Sequence, residues 1–443
     1  MNRLASLEHY LQYHAQHQPD KVAVVVDDHE TTYGQLWQMV EERAAAIKST
    51  GLQKGAVVAF RTTQTLDFLV EYHAIHWAGG VALPLERDMP EGRFCEVVKR
   101  YEDFTAPDDV ADILFTTGTT GDSKGVMVSN RAIIADAENL IDRIGFTPEL
   151  TFIICGPLNH IGSLSKIFPV VVQGATLYIL EGVKDLGKLF HAMDYPCPKV
   201  ATFMVPATVR ILLQLAKKQL ASYADKIDFI ESGGAPLPPS DMQELCATLP
   251  KSRLYNTYAS TETGIVCSYN YNDGICLPGC LGNHMKNSEA FITPEGRVAC
   301  KGETLMTGYA NDPERTNEIL RDGIVYMADN GEIDAEGRLF LQGRNDDVIN
   351  IGGYKVTPTE VEDAALSFDG VKDCICISAS VPAMGTVLKL LYVAKDGMAI
   401  DKRSLAKHIA GQIEAYKVPM RYEQVDSIAR TYNGKLNRKY YRQ

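Results

Sequence analysis

Ten consecutive residues, Thr116-Thr117-Gly118-Thr119-Thr120-Gly121-Asp122-Ser123-Lys124-Gly125, bring together four threonines, one serine, three glycines and one lysine. Such a stretch is too polar to be core, yet the strand-like runs Ile113-Leu114-Phe115 and Val126-Met127-Val128 hold it at both ends. A loop pinned in this way suits phosphate. Glycines let backbone N–H groups approach an anion, hydroxyls add hydrogen bonds, and Lys124 supplies a mobile positive charge. The Walker A loop is rejected by the spacing. That motif needs Gly-Lys-Ser/Thr opening a helix, whereas Lys124 is followed by Gly125 and a β run.

The elements around the loop alternate. Val22 to Val26 reads as a strand, and a helix follows Thr31-Thr32-Tyr33 with Leu36, Met39, Val40 and Ala44 on one face. Ala56 to Phe60 reads as a second strand. A helix around Leu66, Leu69 and Tyr72 ends at Gly79-Gly80, before the strand Val81-Ala82-Leu83. Beyond the loop, Asn130 is the expected cap of a helix carrying Ile133, Ile134, Ala137, Leu140 and Ile141, and Pro206 opens another. The expected fold class is therefore α/β, a large N-terminal domain of doubly wound, mainly parallel sheets. Strand-like runs at Asp373–Ile377 and Leu388–Ala394, with a helix through Leu405, Ile409 and Ile413, predict a small α+β C-terminal lid domain. The boundary is expected between residues 1–343 and 344–443.

The chain has 443 residues, enough for two or three domains. Its net charge of −12 and the absence of a basic block argue against nucleic acid or an anionic membrane surface as the main partner. An anionic substrate must then meet local positive groups. No run reaches the ~18 apolar residues of a membrane span, the N-terminus has no apolar signal core, and the ten cysteines form no disulfide framework. A cytoplasmic protein with reduced thiols is expected. Cys276, Cys280 and His284 have a loosely metal-like spacing without a fourth ligand nearby, and no zinc site is expected of them.

The stretch TTGTTGDSKGVMVSN closely resembles the phosphate loop of the adenylate-forming superfamily, which includes acyl- and aryl-CoA synthetases, peptide-synthetase adenylation domains and luciferases. Further matches occur in the family's order. Gly156-Pro157-Leu158-Asn159-His160-Ile161-Gly162 resembles the Pro-Leu-x-His-x-x-Gly segment of CoA ligases, which implies that His160 lies against the acid-binding pocket. Ser232-Gly233-Gly234-Ala235 resembles the segment on which the adenine lies. In Tyr258-Ala259-Ser260-Thr261-Glu262, the resemblance implies an aromatic ring beside adenine, a Thr on the α-phosphate and a Glu holding Mg²⁺. Ala259 stands where the family usually has Gly, and is expected to narrow the acyl pocket. Asp329 is implied to grip the ribose hydroxyls, with Ala328 in place of the usual Gly, and Arg344 to contact the same sugar. Asp346 matches the hinge and Gly353 the glycine past which the pantetheine arm of coenzyme A enters. Gly434-Lys435-Leu436-Asn437-Arg438 resembles the family's ending, which makes Lys435 the implied catalytic lysine between substrate carboxylate and α-phosphate.

Together these matches imply an AMP-forming acid–thiol ligase. A carboxylic acid and Mg·ATP give an acyl-adenylate, and coenzyme A then displaces AMP. PLNHIGSLSK contains no carboxylate to pair with an α-amine, so an acyl or aryl acid is expected rather than an amino acid. An adenylating enzyme that loads a carrier protein would keep every motif and differ in its thiol acceptor. A non-catalytic nucleotide sensor would be expected to lack Lys435 or Glu262, and both are present. The chain is short between HWAGGVALPLE and the phosphate loop, and from Gly274 to Thr304, which argues against a very long acyl chain.

Overall fold

The computed structural model describes residues 3–116, 124–344, 347, 349–351, 354–381, 385–431 and 435–441. Two sheets carry the large N-terminal part. The larger has 14 strands, and its central run, Arg253–Ser260, Ile227–Gly233, Lys199–Met204, Leu150–Ile154, Thr176–Ile179 and Val22–Val26, is parallel throughout. These strands are largely buried, and Val22–Val26, Leu150–Ile154 and Thr176–Ile179 read as nearly continuous apolar runs, as parallel strands covered by helices do. From Gly264–Asn270 onward the sheet turns antiparallel, through Cys280–His284, Leu339–Arg344, Ile324–Ile333 and Arg297–Gly302 to Ser288–Ile292. The sheets are thus mixed, with the expected parallel run at the centre of the larger one. Short connections such as Thr261–Thr263 leave no room for a crossover helix, so the following strand must return antiparallel.

The second sheet has five strands, in the order Gly308–Tyr309, Lys124–Ser129, Val110–Thr116, Val81–Leu85, Val57–Arg61. Helices Leu7–His17, Tyr33–Ser49, Leu66–Ala78 and Asn130–Ile144 share one core with both sheets. Tyr33–Ser49 starts as its sequence dictates. Thr32 accepts from the Gln35 N–H while the Gln35 side chain accepts from the Thr32 N–H, a reciprocal capping box. The cap of the next long helix is one residue earlier than expected. Ser129 accepts from the Ala132 N–H at 3.1 Å, while Asn130 is already helical and donates to the Asp109 carbonyl instead.

Strands after Ile349 leave the large sheet. Ile349–Ile351 pairs with Tyr354–Val356, and Val371–Val381, Gly385–Ala394 and Arg421–Gln424 make a three-stranded sheet covered by helices Pro358–Leu366 and Lys402–Ala410. Cys374 and Cys376 are buried in this small core and Ile375 faces the other side, which agrees with strand alternation. Cys280 is buried at one end of its strand and His284 exposed at the other, so these two face different surroundings.

Candidate active site

Gly233 and Ser260 stand at the carboxyl ends of parallel strands, where open α/β sheets place their ligands. Ile227–Gly233 and Arg253–Ser260 run side by side there, with Gly233 opposite Thr257. A Cβ on Gly233 would sit 2.7 Å from Thr257 Oγ1 and 3.1 Å from its carbonyl oxygen, so only glycine fits. Gly234 follows with φ +80° and is exposed, and Ala235 is half-buried. Tyr258, buried on the neighbouring strand, donates its hydroxyl to Asp329 Oδ2 at 2.7 Å. Burial and the Asp329 charge both raise the phenol's pKa, so Tyr258 stays a donor. Asp329 is paired in register with Arg344 on the adjoining strand. Of the residues expected at adenine and ribose, Tyr258 and Asp329 are thus bonded directly to each other.

Beside them, Thr261 and Glu262 occupy the turn between Arg253–Ser260 and Gly264–Asn270, both half-buried. The Tyr309 hydroxyl donates to Glu262 Oε1 at 2.8 Å. Tyr309 is brought there by the short strand Gly308–Tyr309, which pairs with Lys124–Ser129 at Tyr309↔Val126. Lys124 Nζ lies 5.1 Å from the centre of the Tyr309 ring, a cation–π contact. Thr116 and Lys124 face one another as the last pair of the hairpin. The loop they close, with Thr117, Gly118, Thr119, Thr120, Gly121 and Ser123, lies outside the described residues, as do Asp346 and Gly353. Glu262 offers a carboxylate oriented by one hydroxyl, an oxygen donor of the kind that Mg²⁺ takes together with phosphate oxygens.

His160 precedes the short helix Ile161–Leu164 and is largely buried. Burial, reinforced by the Lys435 charge, pushes its pKa down to about 4, so the ring is neutral near pH 7. Lys435 therefore reaches the large domain from the C-terminal one. Its Cε lies 3.7 Å from where a Cβ on Gly234 would be. The tail that presents it is fixed on both sides. The Thr431 N–H donates to the Lys435 carbonyl at 2.8 Å, and the Arg438 guanidinium grips both oxygens of buried Glu362 at 2.7 Å each.

One constellation was not expected from sequence. Lys166 Nζ donates to Glu231 Oε1 at 2.7 Å, with both side chains almost fully buried. Thr257 Oγ1 lies 3.0 Å from the same carboxylate oxygen, and Lys166 is 5.0 Å from the centre of the Phe203 ring. Asp136 feels both charges. Burial raises its pKa to about 7 against the opposing Ile265 N–H bond and Lys166 charge. PLNHIGSLSK itself holds no carboxylate, whereas Glu231 stands 65 residues beyond Lys166 and meets it only in the fold.

Residues 11–103 and 96–310 match the AMP-binding enzyme family, and residues 360–435 match the AMP-binding enzyme C-terminal domain. A 2-succinylbenzoate–CoA ligase of Staphylococcus epidermidis is 30% identical over 342 residues, 75% of this chain and 69% of that one. A 4-coumarate–CoA ligase of Oryza sativa subsp. japonica is 28% identical over 363 residues, 75% of this chain and 63% of that one. The crystal structure of ATP-bound MatB from Rhodopseudomonas palustris superposes with a TM-score of 0.90 at 25% identity, covering 99% of this chain and 98% of that one. With both of its parts matched in order, this chain belongs to the AMP-binding enzyme family.

Proposed function

We propose that the protein is an AMP-forming acid–thiol ligase that activates a carboxylic acid with ATP and passes the acyl group to coenzyme A. The observation that carries this reading is the position of Lys435, beside Gly234 and close enough to His160 to depress its pKa. In the first step a carboxylate oxygen attacks the α-phosphorus of ATP and the bond to pyrophosphate breaks. Negative charge accumulates among anions already crowded together, so a fixed ammonium stabilises the transition state more than the ground state. Thr261 and the loop that starts at Thr116 and ends at Lys124 are the groups assigned to the phosphates, and Gly233, Gly234, Ala235 and Tyr258 to the adenine. Asp329 and Arg344 take the ribose. Glu262, held by Tyr309, would carry Mg²⁺, which neutralises phosphate charge when bound. Neutral His160 walls the acid-binding side without adding a second positive charge. In the second step the thiol sulfur attacks the acyl carbon, AMP leaves, and the thiol proton is released.

The reading includes a division between Gly343 and Arg344, a hinge at Asp346 and passage of the thiol past Gly353. A carrier-protein thiol is the alternative acceptor. A cytoplasmic setting is supported by ten unpaired cysteines, and no helix among the described residues is long and apolar enough to cross a membrane. Thioester formation from short aliphatic, long aliphatic, aryl and amino acids, each with ATP, Mg²⁺ and free coenzyme A, tests it. Lys435→Ala is expected to lower adenylation by roughly a hundred- to a thousandfold, or about 3–4 kcal/mol. Adenylates that form but are never accepted by coenzyme A would make the carrier protein the acceptor. An unchanged Lys435→Ala enzyme would sink the assignment.

A further inference from the structure

The acid-binding side of the cleft ends in a buried polar wall. Successive side chains of a strand alternate between faces, so Glu231 and Gly233 point to the same side of Ile227–Gly233. Their register partners share that side: Phe203 lies beside Glu231, and Thr257 beside Gly233. Gly233 presents no side chain on this face, where Thr257 and Phe203 crowd against it. The ring comes within 3.6 Å of where a Gly233 Cβ would stand and within 3.3 Å of a Cβ on Gly162. Phe203, Ile161, Gly162 and Ala259 are all only half-buried, as the lining of an open pocket would be. Going inward from Gly233 along the strand, the next side chain on this face is Glu231, with Lys166 and Thr257 upon it.

That wall is neutral overall but not satisfied. Glu231 Oε1 faces both Lys166 Nζ and Thr257 Oγ1, while Oε2, in a side chain with no exposed surface, has no hydrogen-bond partner among the described residues. A buried carboxylate oxygen without a donor is costly, and a ligand that supplies one recovers that cost. An ammonium would have to sit beside Lys166, whose charge already answers Glu231. An alkyl end would leave the oxygen orphaned. A neutral hydroxyl donates one proton and brings no charge.

Resting on the ligase reading above, we propose that Glu231, held by Lys166 and Thr257, is the specificity-determining residue of the acid pocket. It selects a hydroxylated acid whose hydroxyl lies at the end remote from the reacting carboxylate and donates to Glu231 Oε2. A site built to bond a substrate hydroxyl strongly rejects the analogue that lacks it, because its own polar group is then buried unpaired.

The test is ATP-dependent pyrophosphate release with matched acids: 4-hydroxybenzoate against benzoate, 4-hydroxycinnamate against cinnamate, and 6-hydroxyhexanoate against hexanoate. In the wild-type enzyme at least one hydroxylated acid is expected to exceed its partner by about tenfold or more in kcat/KM. In the double variant Lys166→Met/Glu231→Met, which replaces the pair by side chains of similar volume, that ratio is expected to fall to about one. The KM for ATP should stay unchanged. Ratios near or below one in all three wild-type pairs would overturn the proposal, and so would preference for 4-aminobutanoate or a ratio that survives in the double variant. The wild-type comparison needs no variant to fold. Adenylation of both members of each pair without preference removes this inference alone. Failure to adenylate any acid removes the ligase reading with it.

Discussion

Tyr309 illustrates how much one side chain settles in this cleft. Its hydroxyl is bonded to Glu262 Oε1 at 2.8 Å, and burial together with the Glu262 charge raises its pKa, so it remains a donor across the working pH range. Its ring meanwhile receives Lys124 at 5.1 Å. One residue therefore orients the assigned metal ligand and the lysine that closes the phosphate loop. Partners that orient a metal ligand typically contribute about ten- to a hundredfold in metal affinity. Tyr309→Phe keeps the ring and removes only the hydroxyl. The expected outcome is a Mg²⁺ requirement for adenylation raised by roughly tenfold, with kcat at saturating Mg²⁺ changed little. A titration of Mg²⁺ at fixed ATP measures it, and a midpoint identical to wild type would exclude Tyr309 from this role.

Three elements of the N-terminal part are tied by charges in a dry core. Glu8 on Leu7–His17 meets His73 Nδ1 at 2.8 Å and His76 Nδ1 at 3.0 Å, both on Leu66–Ala78, while His76 Nε2 meets Asp112 Oδ1 at 3.0 Å on Val110–Thr116. Tyr72 donates to the other Asp112 oxygen at 2.9 Å. Burial alone would lower the His76 pKa, but the Glu8 charge and the Asp112 bond outweigh it and hold it at about 10. A folded pKa raised above the unfolded value means stability that is whole below pH ~6.5 and is lost as pH rises through about 10. Glu8 is shifted the opposite way. Burial raises its pKa, the two histidines overcome this, and the stability it lends is whole above pH ~4.5 and fades in acid. Thermal melts are expected to be highest between about pH 4.5 and 6.5 and to decline from there towards pH 10, and His76→Gln to cost about 3–5 kcal/mol by leaving buried carboxylates uncompensated. An alkaline limb unchanged in His76→Gln would contradict this. None of the tie was legible in the sequence, because Glu8 and His73 are 65 residues apart and lie on helices read only for their apolar faces. The same holds for Tyr309 with Glu262 and for Lys166 with Glu231. What could be read was chemistry local to one segment: the hairpin closed by Thr116 and Lys124, the Gly233-Gly234 turn, Tyr258 with Glu262, and Lys435. Strand direction was legible only in part, for a related reason. Alternating β and α segments announce a parallel sheet, whereas the direction of strands after Gly264 is set by pairings among distant segments.

At the scale of the whole molecule the two parts meet in an arrangement suited to one half-reaction. Lys435 stands at Gly234, and a charged seam also joins the two parts. Arg210, on helix Pro206–Ser222, donates to Asp241 at 2.9 Å and lies 3.6 Å from Asp373 of the C-terminal sheet, whose other partner is Arg430 at 2.7 Å. Glu360 and Asp363 of helix Pro358–Leu366 border a groove against Pro239 and Ser240, and burial raises the Asp363 pKa to about 7, with the neighbouring Glu362 charge adding to it. Arg210 is thus the cation that a negatively charged face of the small domain finds when Lys435 is in the cleft. If the C-terminal part turns about the proposed hinge before the thiol attacks, the Arg210–Asp373 contact has no required part in the second half-reaction. Removing it should therefore separate the two steps. Arg210→Leu is expected to slow adenylation by roughly tenfold, equivalent to about 1.4 kcal/mol of barrier. Thioester formation from a supplied acyl-adenylate should keep its wild-type rate. Single-turnover measurement of each step decides the matter: equal losses in both would mean that Arg210 serves only the stability of its own helix, and no loss in either that the seam does not help to hold the lysine in place.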